Sequence, residues 1–418
     1  MTARKLLGTF FMAGALATPA WAETTLLGTG AIAGTATDGS GLTNLLEDGV
    51  TPNNLIGGLG SGIAYTGQGS LYLAVPDRGP ADGTTTYTDR AYVVDLRVHR
   101  TVAGSYVVEP HVVATRILRT KNGTPFTGSA AAFDPTGSPD SLRFDPEGIR
   151  LGPCGNRFFV SDEYGPFLYE FGASGKRERV LKLPTKFLAD LPSANPAEEL
   201  ANNAAGRQAN RGMEGLAISP DGKKLYGILQ SALIQDGGLD AALARVGVNN
   251  RILEVDVETG AVREFLYTLE NRSYGVSEIL SVNDHELLVL ERDGRAGANA
   301  AFKKIFKIDI EGASDIRALA QLPETGVPAG ITPVDKSLFL DLLAPAYGLA
   351  GASAPEKFEG LAFGPDLADG RHLLVVTTDN DFVASRPSLF YAFAVDPADL
   401  PGFEPQALAH GACRPPAN

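Results

Sequence analysis

The sequence predicts an all-β fold, a β-propeller, and three observations carry the prediction. One short pattern recurs five times, most copies run on into a second pair of strand-like segments, and turn residues punctuate the pairs. The pattern is a small or acidic residue, glycine, a short apolar run, a turn, a β-rich run and a polar cluster. Two β-rich runs across a Gly, Asn, Asp or Pro turn make a hairpin, and two hairpins make a four-stranded blade.

The first copy runs from Ser61-Gly62-Ile63-Ala64-Tyr65 through Leu71–Val75 to Asp77-Arg78-Gly79, and Ala91–Val98 with Tyr106–Leu118 completes its blade. The second joins Glu147-Gly148-Ile149, Phe158-Phe159-Val160 and Asp162-Glu163-Tyr164-Gly165, followed by Phe167–Phe171 and Arg179–Leu183. The third is the most regular. Glu214-Gly215-Leu216-Ala217-Ile218 turns at Pro220-Asp221-Gly222 into Leu225–Leu229 and Gln230-Ser231, and Arg251–Val257 turns at Glu258-Thr259-Gly260 into Val262–Tyr267. The fourth, Ser277-Glu278-Ile279-Leu280, lacks the glycine; it runs through Leu287–Leu290 to Glu291-Arg292-Asp293-Gly294, and Lys304–Ile310 with Ile316–Leu322 complete it. The fifth joins Glu359-Gly360-Leu361-Ala362-Phe363, Leu373–Val376 and Asp379-Asn380-Asp381, with only Leu389–Val395 beyond. Its missing outer strand is supplied by the β-rich segment Thr25–Ile32, which closes the ring. The copies set five blades, or six if one blade lacks the signature. Two insertions, Leu191–Arg211 with a short helix and Gly326–Pro355 with Ser337–Leu343 read as helical, each precede a Glu-Gly copy and are expected to arch over one face as lids.

Residues 1–22 read as a secretory signal: Arg4 and Lys5, a mostly apolar run from Leu6 to Ala17, then Ala20-Trp21-Ala22 before Glu23. Residues 23–418 are then one propeller domain, with core repeats over about 58–396, in a periplasmic or secreted product. No later segment has the roughly 20 apolar residues that a membrane span needs. Without Arg4 and Lys5 the formal charge goes from −13 to −15, which excludes a general attraction to nucleic acid or anionic membranes and favours cations as partners. Two cysteines, Cys154 and Cys413, exclude a disulfide framework and a cysteine-rich metal site, and in an oxidising compartment they are able to pair. The oligomeric state is not legible.

Blade topology turns sequence position into geometry. The innermost strand starts at one face and the second strand returns to it, so both ends of each hairpin ring one mouth of the channel. That places Glu147, Glu214, Glu278 and Glu359 beside Asp77, Asp162, Glu163, Glu291, Asp379 and Asp381, with Arg78, Arg211 and Arg292 among them. Any single Glu-Gly is explained by a turn glycine and a solvated acid; recurrence with matched downstream acids is what favours a ring. Crowded carboxylates must be protonated, paired with arginine or neutralised by a cation. Hard oxygen donors without clustered His or Cys favour Ca²⁺, with Mg²⁺ or Mn²⁺ as alternatives, and none of the five histidines falls in a spaced pair. No Gly-x-Ser-x-Gly elbow, His-Glu-x-x-His, phosphate loop or dinucleotide fingerprint is present, which disfavours serine hydrolases and nucleotide-dependent enzymes.

The runs Asp145-Pro146-Glu147-Gly148-Ile149, Ser161-Asp162-Glu163-Tyr164-Gly165-Pro166, Asn210-Arg211-Gly212-Met213-Glu214-Gly215-Leu216-Ala217, Leu290-Glu291-Arg292-Asp293 and Phe358-Glu359-Gly360-Leu361 resemble the bacterial family called esterase-like activity of phytase, or phytase-like. The resemblance implies a β-propeller and phosphoester hydrolysis, with Glu147, Asp162, Glu163, Glu214, Glu291, Arg292 and Glu359 at the matching positions. The chain departs from the pattern at Ser61, at Ser277-Glu278 and at Gln230.

Residues and resemblance together lead to the expectation of a metal-dependent phosphoester hydrolase acting on a small molecule. Divalent cations would sit on Glu147, Glu214, Glu359 and Asp162, with Glu278 and Asp77 as further ligands. Glu163 or Glu291 would act as base or acid, and Arg78 or Arg292 would clamp phosphate. The alternatives are a calcium-dependent lactonase or carboxylesterase, and a non-enzymatic binding or scaffold propeller, for which the mouth would be filled by Phe and Leu.

Overall fold

The computed structural model describes residues 24–409 apart from Pro166, so the signal segment and Cys413 lie outside the described residues. Among the described residues no cysteine is free. The strands are β1 (Thr25–Ile32), β2 (Leu59–Tyr65), β3 (Leu71–Pro76), β4 (Arg90–Arg100), β5 (Tyr106–Ile117), β6 (Pro146–Leu151), β7 (Arg157–Asp162), β8 (Leu168–Gly172), β9 (Arg177–Leu181) and β10 (Met213–Ile218). They continue as β11 (Lys224–Leu229), β12 (Asn249–Asp256), β13 (Val262–Thr268), β14 (Gly275–Ser281), β15 (Glu286–Arg292), β16 (Lys303–Asp309), β17 (Asp335–Asp341), β18 (Phe358–Phe363), β19 (His372–Thr378) and β20 (Ser388–Val395). They form five four-stranded antiparallel sheets: β2 to β5, β6 to β9, β10 to β13, β14 to β17, and β18 to β20 with β1 on the outer edge. The fold is a five-bladed β-propeller.

The ring is closed as the sequence predicts. Strand β1 pairs with β20 from Thr25 opposite Ala394 to Ile32 opposite Ser388. It also packs against the neighbouring blade, where a Cβ on Gly30 would lie 2.6 Å from the Val108 carbonyl and from Pro110. The apolar core is five wedges rather than one centre. Each large cluster joins two adjacent blades, as when Ile63 and Tyr92 of the first pack with Val375 and Phe390 of the last, or Phe159 and Leu168 of the second with Leu216 and Leu253 of the third. Every blade is therefore buried on both faces, which is why its strands read as continuous apolar runs.

Two expectations fail. The outer strand of the fourth blade is β17, not Ile316–Leu322, and Ser337–Leu343 is mainly strand rather than helix. Ile316 and Leu322 instead bury against Leu266 on the third blade, held by hydrogen bonds from the Ile316 N–H to Glu264 and from Val334 to Leu266. Pro323, Pro328 and Pro333 cannot donate to a sheet ladder, so this stretch cannot continue as strand. The other insertion does carry its short helix, Pro196–Asn202, capped by Asn195.

The repeat glycines have a different role from a turn. Their φ angles are not positive, but the innermost strands of neighbouring blades converge on them: a Cβ on Gly62 would meet the Glu147 carbonyl oxygen at 2.3 Å, and one on Gly215 the Ile279 nitrogen at 2.7 Å. In the fourth blade Glu278 holds this position. Its side chain runs into the axis and pairs with Arg150 at 2.9 Å. Arg150 also donates to the carbonyls of Ile63 and Ile279, at 2.8 and 2.9 Å, while Glu278 accepts the Leu216 N–H at 2.9 Å. One ion pair thus ties four of the five innermost strands. We expect Gly62→Ala, far from any titrating group of its own, to cost about 1–3 kcal/mol by forcing backbone apart. Urea denaturation checks this, and an unchanged midpoint would show that the innermost strands do not need to approach so closely.

Candidate functional site at the acidic mouth

Each innermost strand carries a register irregularity where the repeat opens: Leu59/Gly62, Pro146/Ile149, Met213/Gly215, Val276/Glu278 and Phe358/Leu361. A bulge re-aims side chains relative to a regular ladder. Here it sits beside Glu147, Glu214 and Glu359, which turn into a cavity of about 340 Å³ at one mouth of the channel. The second strands deliver Asp77, Glu163, Gln230 and Arg292 to the same cavity. Six acidic side chains line it (Asp77, Glu147, Glu163, Glu214, Glu356, Glu359) against five basic ones (Arg78, Arg211, Arg245, Arg292, Lys357). The mouth is therefore nearly balanced rather than a pure carboxylate ring.

The charges are unevenly paired. On one side, carboxylate oxygens of Asp77, Asp145 and Glu147 lie within 4.8 Å of one another. Arg78 braces this group, donating to Asp145, to Asp82 and, at 3.3 Å, to Glu163. Burial and the charge of Asp77 push the Asp145 carboxyl well above the usual range even beside Arg78. Against its own burial, Asp77 is brought down to about 2 by Arg78, Lys357 and its interaction with Asp145. Burial and Glu214 raise Glu147 well above its ordinary value and Glu163 to about 7. Burial and Glu359 push Glu214 to about 8, and burial takes Glu359 to about 7 despite Lys357 and Arg292. Glu214 accepts from Gln230 at 2.7 Å through Oε1, but its Oε2 is buried with no hydrogen-bond partner. Such a surplus of buried carboxyl oxygen suits a hard cation at Asp77, Asp145 and Glu147. The neighbouring trio of Asp77, Asp379 and Asp381 fits one less well, because the Lys357 ammonium already lies 3.5, 2.7 and 2.6 Å from them.

On the other side, Arg292 is matched by Glu359 at 2.7 Å and donates to Ser277 at 2.8 Å. Arg211 and Arg245 have no carboxylate partner among the described residues; Arg211 donates only to the Ser231 hydroxyl, at 3.2 Å. Burial and the nearby Arg245 bring Arg211 down to about 10, and burial lowers Arg245. Two unpaired guanidiniums facing one cavity form a place for an anion.

Three predicted site residues lie elsewhere. Glu278 is in the axis with Arg150. Glu291 accepts from Tyr267, Lys336 and the Glu270 N–H, because neighbouring residues of a strand face opposite ways and Arg292 takes the inward direction. Asp162 accepts the N–H groups of Asp145, Tyr164 and Gly165, at 3.2, 3.2 and 3.0 Å, and so fixes the loop that presents Glu163. Sequence reasoning missed Asp145, Lys357 and Arg245. The first two stand two residues before the glutamate of their repeats, a position that aligning the copies further upstream would have exposed. Arg245 belongs to the loop between β11 and β12, where no repeat places it.

The raised carboxyls give a signed prediction for metal-free protein. The folded state keeps protons that the unfolded chain releases near the ordinary value of 4.5, so stability is highest below that pH and falls as pH climbs through about 7 and 8. We expect Glu214→Gln to flatten this fall and raise the melting temperature at pH 8, and Ca²⁺ to stabilise the wild type more than the variant. Superimposable melting curves for the two proteins would show that Glu214 carries no charge stress.

Among known proteins, the chain is 27% identical over 450 residues to an uncharacterized secreted protein of Arthroderma benhamiae, covering 81% of this chain and 86% of the relative. Its structure is similar to the allergen Mala s 1 of Malassezia sympodialis at 11% identity and a TM-score of 0.36, covering 83% of this chain and 81% of the allergen. It is similar to a luciferin-regenerating enzyme at 13% identity and a TM-score of 0.34, covering 84% and 96%. The family model for esterase-like activity of phytase, named Phytase-like, matches residues 54–382. With its repeats, acidic mouth and most of its length inside that match, the chain belongs to the phytase-like family.

Proposed function

We propose that the mouth hydrolyses a phosphoester of a small molecule, and the observation that carries this reading is the pair of guanidiniums without an ion pair, Arg211 and Arg245, lining the same cavity as the carboxyl groups. The esterase-like family supports a hydrolase; the guanidinium pair supports an anionic substrate over a neutral lactone. A scaffold would close its mouth with large apolar side chains, whereas Val276 is the sole sizeable aliphatic side chain lining this cavity.

In this reading Arg211 and Arg245, with Arg292 beside them, hold the phosphoryl oxygens by charge-assisted hydrogen bonds. Glu163, raised to about 7 yet held near Arg78, takes a proton from the attacking water. Glu214, raised to about 8 and so largely protonated at neutral pH, donates to the leaving oxygen. Asp77, Asp145 and Glu147 would hold a divalent cation, Ca²⁺ fitting the all-oxygen donors, with Glu359 and Glu214 close by. A cation there supplies positive charge for the phosphate and an acidified water. Arg78 braces the acids rather than clamping substrate. We also read the protein as exported: among the described residues no helix is long and apolar enough to cross a membrane, and the fungal relative is secreted.

The test is hydrolysis of p-nitrophenyl phosphate and bis-p-nitrophenyl phosphate with and without Ca²⁺, alongside a lactone panel. We expect chelator-sensitive phosphoester cleavage, lowered at least about tenfold in kcat/KM by Arg211→Met, since a charge-assisted hydrogen bond is worth about 1.5–3 kcal/mol. Inert phosphoesters with active lactones would transfer the site to lactonase chemistry. Inertness to both, in metal-loaded protein, would leave the mouth a binding site.

A further inference from the structure

Beside Tyr164 lies a second cavity, of about 140 Å³, lined in part by Arg143, Phe133, Phe167 and Leu188. Arg143 is 6% exposed, and its guanidinium carbon lies 3.3 Å from the Tyr164 ring centroid, a stacked geometry that fixes the side chain. It makes no ion pair among the described residues, and its Nε is buried without a hydrogen-bond partner. Arg207, which also lines the cavity, is by contrast engaged by Glu199 and by the Tyr164 carbonyl. Arg143 is thus a buried guanidinium with no direct ion pair of its own. Ser141 adds a hydroxyl that already accepts the N–H groups of Asp134 and Arg143 and keeps its own proton to donate.

We propose that this cavity binds a small monocarboxylate with a ring-sized apolar body, its carboxylate on Arg143. One unpaired guanidinium answers one negative charge. A dianion is disfavoured by Asp134, Asp162 and Asp190, which also line the cavity. Phe133, Phe167, Leu188 and Pro192 supply an apolar part of the wall for a hydrocarbon body. The site is distinct from the mouth, though close to it: the Arg78 guanidinium lies 5.7 Å from the same Tyr164 ring. The proposal does not depend on phosphoester hydrolysis.

Isothermal titration of the purified protein with sodium benzoate tests it, with benzyl alcohol as the neutral counterpart and inorganic phosphate as the dianion. We expect saturable one-site binding of benzoate, at least about tenfold tighter than benzyl alcohol and, in the Arg211→Met variant that removes the mouth's anion site, at least about tenfold tighter than phosphate. Arg143→Met should abolish it. Because Arg143 packs on Tyr164, a second variant, Leu188→Trp, fills the cavity while keeping the guanidinium and should also abolish binding; Arg211→Met at the mouth should leave it unchanged. Absence of saturable binding to the wild type, equal affinity in Arg143→Met, or loss in Arg211→Met would overturn the proposal.

Discussion

The Arg150–Glu278 pair in the axis is the constraint around which the propeller is arranged. A five-bladed ring brings its innermost strands so close that glycine is needed where they converge, and in the one repeat without that glycine the space is filled by a carboxylate. Burial pushes Glu278 to about 7 and lowers Arg150, which measures how unfavourable isolated charges would be there. Together they are compensated by each other's charge and by backbone partners on four innermost strands, although Arg150 Nε and Glu278 Oε2 remain without a hydrogen bond. Such a pair contributes little net stability compared with apolar packing, but it is costly to break and it fixes one register.

Much of this was legible in the sequence, for a physical reason: a propeller repeats its blades, so alternation of apolar runs and turns recurs with the blade period. Closure by Thr25–Ile32 followed from counting strands in the last repeat. What failed was local. The segment 335–341 is an outer edge strand, half solvated, so its polar and apolar residues do not announce a sheet. Glu278 was assigned to the mouth because the repeat was aligned on the acid, when the structural position it occupies is that of glycine. Glu291 and Asp162 are adjacent to residues that do face the cavity, and one step along a strand reverses the side chain. Arg245 comes from an inter-strand loop, whose path no periodicity constrains.

The mouth is distinguished by uneven pairing of its charges. Had the acids and arginines been matched one to one, burial would have produced a rigid salt-bridge network. Instead Arg78 and Lys357 are engaged by Asp145, Asp77, Asp379 and Asp381, with Arg78 reaching Glu163 at 3.3 Å, and Arg292 by Glu359, which among the described residues leaves Glu147 and Glu214 without an ion pair and Arg211 and Arg245 likewise. In the proposed reading both sets would be relieved at once by a metal-bound phosphoester, which would bring a cation to the acids and an anion to the guanidiniums. This complementarity joins the membership of a phytase-like family to the geometry of this particular chain.

Anomalous diffraction from crystals soaked with Ca²⁺ and inorganic phosphate tests that claim most directly. The account predicts a calcium peak among Asp77, Asp145 and Glu147 and a phosphate against Arg211 and Arg245 in the same cavity. Calcium confined to surface carboxylates, with phosphate absent from those two arginines, would contradict it.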